Sequence, residues 1–192
     1  MQPEENQTIE GGLEYQVAGN WRFSAVYFDR KDKQFVDFVT VDPDLFIFQY
    51  QNIADEFSSS GVEVEASKNF GQKWRVTANY TYTDADERFA LRIPEHKANA
   101  RLSWMPIEKL DLSLSYQYVG ERDDSFFNPE TFASEIVTLD SFNLLDLGVN
   151  YRVCEQFRLF AGLTNLTDTE YEEIYRFQTP GRNIRFGFGL DL

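Results

Sequence analysis

Residues able to do acid–base or nucleophilic chemistry are few in this 192-residue chain, which holds a single histidine, His96, and a single cysteine, Cys154. A nucleophile needs a base within hydrogen-bond reach, and His96 is the only imidazole on offer. One cysteine cannot close an intramolecular disulfide, and one histidine cannot build a His-rich metal site. No catalytic residue, metal ligand or cofactor is therefore expected. Carboxylates are plentiful, 32 against 18 Lys and Arg. "ERDD" (121–124) and "DTEYEE" (168–173) concentrate them, but neither has the spacing of a calcium loop. The remaining useful chemistry is aromatic. Phe126, Phe127, Phe132, Tyr171, Tyr175 and Phe177 stand in the same acidic stretches, where such rings either stack on a bulky ligand or pack their loops together.

The formal charge of -14 argues against a nucleic-acid partner, because phosphate backbones would be repelled. No apolar run approaches the roughly 18 residues of a membrane-spanning helix. Strands of a membrane barrel alternate apolar and polar residues, so they escape that test. The opening "MQPEENQTIE" has neither the basic nor the apolar segment of a secretory signal. This predicts either a cytosolic protein or a piece of a longer chain.

What must position the loops is β structure. In "KWRVTANYTYT" (73–83), Trp74, Val76, Ala78, Tyr80 and Tyr82 share one face and Arg75, Thr77, Asn79, Thr81 and Thr83 the other, a period of two that a helix would scramble. The same division runs through 97–104, 110–118, 145–153 and 157–164, and through the closing "GRNIRFGFGLDL" (181–192). Towards the start it covers 8–17, 20–39 and a segment ending at 61–67. This predicts nine strands and no helix, with Phe160 an exception on an otherwise polar face. Short connections at 18–20, 68–72, 105–109 and 154–156 alternate with long ones at 84–95, 121–139 and 168–181. The boundary near 41–46 is less distinct.

Alternation by itself fits a soluble sandwich as well as a membrane wall. Two features favour the wall. The polar face carries Arg75, Arg101, Asp111, Asp146, Arg152, Arg158 and Arg185, which suit an aqueous lumen better than a small closed interior. Aromatic residues also recur at strand ends, at Trp21, Trp74, Trp104, Tyr116, Tyr118 and Tyr151, as in the girdles of outer-membrane barrels. The fold class expected is all-β, an antiparallel transmembrane barrel meander. Such barrels use an even number of strands, so nine strands imply a chain that begins halfway through a hairpin.

"NLTDTEYEEIYRFQTPGRNIRFGFGLDL" (165–192) resembles the carboxyl-terminal segment of TonB-dependent outer-membrane receptors. The resembling residues are Asn165, Leu166, Asp168 and Tyr171, then Pro180, Gly181 and Arg182, and then a final amphipathic strand. "YQNIADEFSSSGVEVEAS" (50–67), "RIPEHKANARLSW" (92–104) and "YQYVGERDD" (116–124) extend the resemblance over essentially the whole chain. Thr167 and Leu192 stand where the family usually has Phe.

The resemblance implies that residues 1–192 are the carboxyl-terminal part of a barrel of about 22 strands, without its plug domain and earlier strands. It implies an outer-membrane receptor of a Gram-negative bacterium that takes up a small ferric chelate (siderophore) or a corrinoid such as cobalamin. The TonB complex would be reached only through the missing plug. Phe186, Phe188, Leu190 and Leu192 would form the signal read by the barrel-assembly machinery and would face lipid. The three long loops hold thirteen acidic and four basic residues, a solvated rim that divalent cations would bridge to lipopolysaccharide. A passive porin or adhesin barrel is the alternative, and a barrel enzyme is a further one with only His96 to serve it.

Overall fold

An extended chain places successive side chains on opposite faces, so a long run of strict alternation demands a sheet with two different environments. The computed structural model describes residues 1–17, 19–42, 45–86 and 90–191. Among these there is no helix. There are thirteen strands: β1 (Glu5–Val17), β2 (Trp21–Lys33), β3 (Val36–Asp42), β4 (Ile47–Asn52), β5 (Phe57–Phe70), β6 (Trp74–Ala85), β7 (His96–Ile107), β8 (Leu110–Val119), β9 (Arg122–Asn128), β10 (Ala133–Leu139), β11 (Phe142–Arg152), β12 (Phe157–Thr164) and β13 (Asn183–Leu190).

Nine of them form one antiparallel sheet in the order β1-β2-β5-β6-β7-β8-β11-β12-β13. It is an open wall with β1 and β13 at its edges. All its short turns lie on one rim. Between Val17 and Trp21 the chain reverses through Gly19 and Asn20, both at positive φ. Long connections 34–56, 86–95, 120–141 and 165–182 all rise from the opposite rim.

Two of these long connections are more ordered than their sequence suggested. The strand expected over 20–39 is two elements, because the chain turns after Lys33 through Gln34 at φ 58°. β3 then pairs with β4 as a separate hairpin. The segment 121–139, expected as a loop, is a second hairpin in which β9 pairs with β10 from Arg122↔Leu139 to Asn128↔Ala133.

Cross-strand register sorts the two faces. The row Trp21, Lys68, Val76, Leu102, Leu114, Leu147, Leu163 and Ile184 crosses eight of the nine strands on one side. The aromatic end residues gather there, and Trp74 stacks on Trp104 with centroids 4.8 Å apart and planes 7° from parallel. The other face carries Arg75, Arg101, Asp111, Asp146, Arg152, Arg158 and Arg185. Phe160 breaks the pattern for a local reason: its ring lies over Gly187, where an added Cβ would come within 2.6 Å of Phe160 Cζ. Phe28 covers Gly61 in the same way. A large apolar ring is accepted on the polar face by resting on a residue with no side chain.

Candidate functional site

Among the described residues, the most buried lie where the long connections leave the wall. Val119 and Phe142 end β8 and begin β11 at that rim, and Leu139 ends β10 beside them. Two charged residues of β9 are buried with this apolar base, Arg122 and Asp124. They are two positions apart on an extended strand, so both point to the same face.

Asp124 is fully buried. One carboxylate oxygen accepts from Arg92 Nε at 2.7 Å and from the Ser125 amide at 2.8 Å, and the other accepts from the Tyr175 amide at 2.8 Å. Burial pushes this carboxyl up, but the hydrogen bonds from the Tyr175 amide, Arg92 and the Ser125 amide outweigh it and hold the group below the usual carboxylate range. Arg92 belongs to 86–95 and Tyr175 to 165–182, so one carboxylate ties three connections together. The Arg92 amide adds a bond to the Asp123 carbonyl at 2.7 Å.

Arg122 ties two of these connections with donors. Its guanidinium reaches the carbonyls of Gly120 at 3.3 Å, Asp140 at 3.4 Å and Glu172, and lies 5.1 Å from the centroid of Phe142. Burial pulls its pKa down from the ordinary guanidinium value, while Glu173 and Asp124 oppose that shift. A guanidinium so far above neutrality stays charged.

The aromatic residues picked out from the sequence separate into different surroundings. Phe126 and Tyr175 meet with centroids 4.6 Å apart, and the Arg176 guanidinium lies 5.1 Å from both rings. Phe127 meets Phe132 edge-on at 6.4 Å, and both are exposed. Phe177 is exposed. Tyr171 packs on Phe142 at 4.4 Å, and burial, with Glu173 and Asp146, raises its phenol pKa.

The "NLTD" stretch is the foundation of 165–182. Its first residue, Asn165, is buried at positive φ. Its amide donates to Asp146 Oδ1 at 2.8 Å, and its side chain bonds the Thr169 amide and carbonyl at 2.8 and 2.9 Å. The Leu166 amide donates to the Leu145 carbonyl at 2.7 Å. Asp168 reaches across the loop to accept from the Arg182 amide at 2.7 Å, and its Oδ1 would stand 2.9 Å from a Cβ at position 181. A side chain at position 181 would crowd the carboxylate that the Arg182 amide holds in place. Pro180 precedes it and is exposed. Phe186, Phe188 and Leu190 project from the outward face of β13 and are exposed; Leu192 lies outside the described residues.

A cavity of about 700 Å³ opens between 138–141 and 168–181, lined by Asp140, Glu170, Glu172, Tyr171 and Thr179 among others. Among the described residues no group of three or more His, Cys, Asp or Glu side chains gathers to hold a metal ion. His96 is on the outward face, its Nδ1 2.8 Å from the Tyr80 hydroxyl and its ring 5.4 Å from that of Tyr82. Cys154 is exposed in a short turn. Cys154 is at the rim opposite the loop cluster, whereas the His96 carbonyl accepts from the Gly120 amide at 2.8 Å at the edge of that cluster.

Residues 1–166 match the model of the TonB-dependent receptor-like β-barrel. The chain belongs to that family. The ferripyoverdine receptor of the outer membrane of Pseudomonas aeruginosa superposes with a TM-score of 0.79 over 100% of this chain and 28% of that one, at 20% identity. The siderophore receptor PirA from Acinetobacter baumannii gives 0.81 over 99% of this chain and 32% of that one, at 17% identity. The copper transporter OprC gives 0.77 over 100% and 32%, at 19% identity. This TonB-dependent receptor barrel chain therefore spans about a third of the length of the structures it matches. The family and these neighbours are receptors and transporters rather than enzymes.

Proposed function

We propose that the chain forms part of the wall and outer loops of a Gram-negative outer-membrane receptor for TonB-dependent uptake of a ferric siderophore, with a corrinoid the other ligand class. The observation that carries this reading is the three-loop cluster knotted by Asp124 and Arg122 above a wall that is apolar on one face and charged on the other. Two of the similar structures named above are siderophore receptors, which favours the ferric chelate. Exposed rings at Phe127, Phe132 and Phe177 supply faces on which a bulky, partly aromatic chelate stacks. The Tyr171 and Phe126/Tyr175 rings hold the loops that present them.

In this reading a plug domain and earlier strands complete the protein, and the TonB complex acts through that plug. The outward face meets membrane lipid, the acidic rim meets lipopolysaccharide, and the assembly machinery reads β13. The test is disruption of the gene in its host under iron restriction, with uptake of labelled ferric hydroxamate, ferric catecholate and cobalamin followed together with membrane fractionation. Loss of one ligand's uptake, restored by the intact gene, supports the proposal. Undiminished uptake of all three, or recovery of the protein outside the outer membrane, overturns it.

A further inference from the structure

We infer that Lys68 forms a binding site for the phosphate of an anionic phospholipid on the outward face of the wall, at the short-turn rim. The inference rests on the membrane-wall reading above.

Lys68 pairs with Trp21 on one side and Val76 on the other, so it shares their outward face. Among the described residues it is the only charged side chain on that face in the half of the wall nearest the short turns. The same half of that face carries Trp21, Phe23, Phe70, Trp74 and Trp104. Among the described residues no carboxylate comes within ion-pair distance of its ammonium.

The ammonium lies over two rings instead, 4.2 Å from the Trp21 centroid and 4.8 Å from that of Phe70. Trp21 is itself fixed by stacking on Phe23 at 5.2 Å and by an edge contact with Phe70 at 6.4 Å. Ring faces hold a cation electrostatically but supply no hydrogen-bond acceptor, so the ammonium keeps donors free for an outside partner.

Depth identifies that partner. Lys68 is two residues above Phe70, where β5 ends, or about 7 Å along a strand. Tryptophan belts sit at headgroup level, so this ammonium stands where lipid phosphates are. A second cation, Lys73, occupies the turn between Phe70 and Trp74. The opposite rim carries the acidic loops, which would repel the same headgroup. A lysine placed only for solubility would sit in water beyond the belt; this one sits within it.

The experiment uses the whole chain folded in mixed micelles. Native mass spectrometry counts bound phosphatidylglycerol against phosphatidylcholine for the unaltered chain, Lys68→Gln and Lys68→Arg, with far-ultraviolet circular dichroism as the folding control. Brominated acyl chains report lipid contact through tryptophan quenching. The unaltered chain and Lys68→Arg should prefer phosphatidylglycerol by about fivefold, the effect of one cation at a charged lipid surface, and Lys68→Gln should lose that preference. A preference retained by Lys68→Gln, or absent from the unaltered chain, overturns the site. Lipid A displacing phosphatidylglycerol in a Lys68-dependent way overturns its assignment to a phospholipid. Absence of quenching in the unaltered chain overturns the wall reading itself.

Discussion

The Tyr175 amide donates to the buried carboxylate of Asp124 at 2.8 Å across 51 residues of sequence. This bond joins the loop before β13 to the hairpin formed by β9 and β10. Because Arg92 binds the same carboxylate, Asp124→Asn should loosen three connections at once. A neutral amide keeps its size but has one acceptor oxygen, so at least one donor loses its partner. A charged hydrogen bond contributes about 1.5–3 kcal/mol, and the half-exposed Arg92 side chain lowers the expected loss to the bottom of that range. Amide exchange at Ser125, Arg92 and Tyr175 should quicken together, while exchange in β6 to β8 stays unchanged. Exchange that quickens at only one of the three would show that the loops are held separately.

Acid should act on the same group. The folded carboxyl lies below its ordinary range, whereas the unfolded value is near 3.9. A depressed folded pKa gives stability that is fully present above the unfolded value and lost as pH falls through the folded one. Loop protection should therefore hold from neutrality to about pH 4 and fall below it. Limited proteolysis within 168–181 across that interval measures it, and an Asp124→Asn chain should show the acid pattern already at neutral pH.

The wall was legible in the sequence because its signal is local: nine stretches alternate, and the structure pairs nine strands in chain order around the inserted hairpins. The hairpins were less legible. "QFVDFV" continues the apolar-rich run of "RFSAVYF", so only the turn at Gln34, a side chain with no special liking for positive φ, separates β3 from β2. In "ERDDSFFNPETFASEIVTL" charge hid the strands, since Arg122 and Asp124 read as a solvated acidic stretch. Their spacing of two was visible, but their long-range partners are 18 to 51 residues away along the chain, and nothing in a single sequence tells which distant amide a carboxylate will meet. Among the ring residues, spacing likewise could not separate Tyr171, packed on Phe142, from Phe127, Phe132 and Phe177, which are exposed.

Phe160 and Gly187 form a pair that a mutant cycle can isolate. Gly187→Ala puts a Cβ within 2.6 Å of the Phe160 ring, and overpacking of this kind costs about 1–3 kcal/mol. Phe160→Ala removes the obstacle, so Gly187→Ala made in that background should be close to neutral, giving a coupling energy of the same size as the single-mutant loss. Thermal or denaturant unfolding of the four chains in one detergent measures it. Additive effects would mean that the ring does not bear on Gly187.

Asp168 holds the closing stretch of the last long connection. Replacement by Ala removes the acceptor of the Arg182 amide and opens the space against Gly181, which should cost about 1 kcal/mol. Fraying should be confined to 177–183. Because the Asn165 side chain secures Thr169 independently, the first turn of that connection should keep its protection. Proton exchange at the Arg182 and Thr169 amides separates the two ends; loss at Thr169 as well would show that Asn165 depends on Asp168.

Charge placed on the two faces should have opposite consequences. Leu147, on β11, is outward, flanked by Leu114 and Leu163 in register. Asn150 is three residues along the same strand on the other face, paired with Asp111 and Phe160. In lipid, Leu147→Arg should cost about 2–4 kcal/mol near the bilayer midplane, because no water reaches the guanidinium. Asn150→Arg should change folding little, since its face carries Arg152 and Arg158 already and Asp111 stands opposite. Folding yields of both variants in phospholipid vesicles, beside yields in a small charged detergent, check this. In detergent the Leu147→Arg defect should shrink, because charged headgroups and water approach the wall more closely. Equal tolerance of both substitutions in vesicles would mean that the outward face does not meet hydrocarbon, and an Asn150→Arg chain failing alone would mean that the faces are reversed.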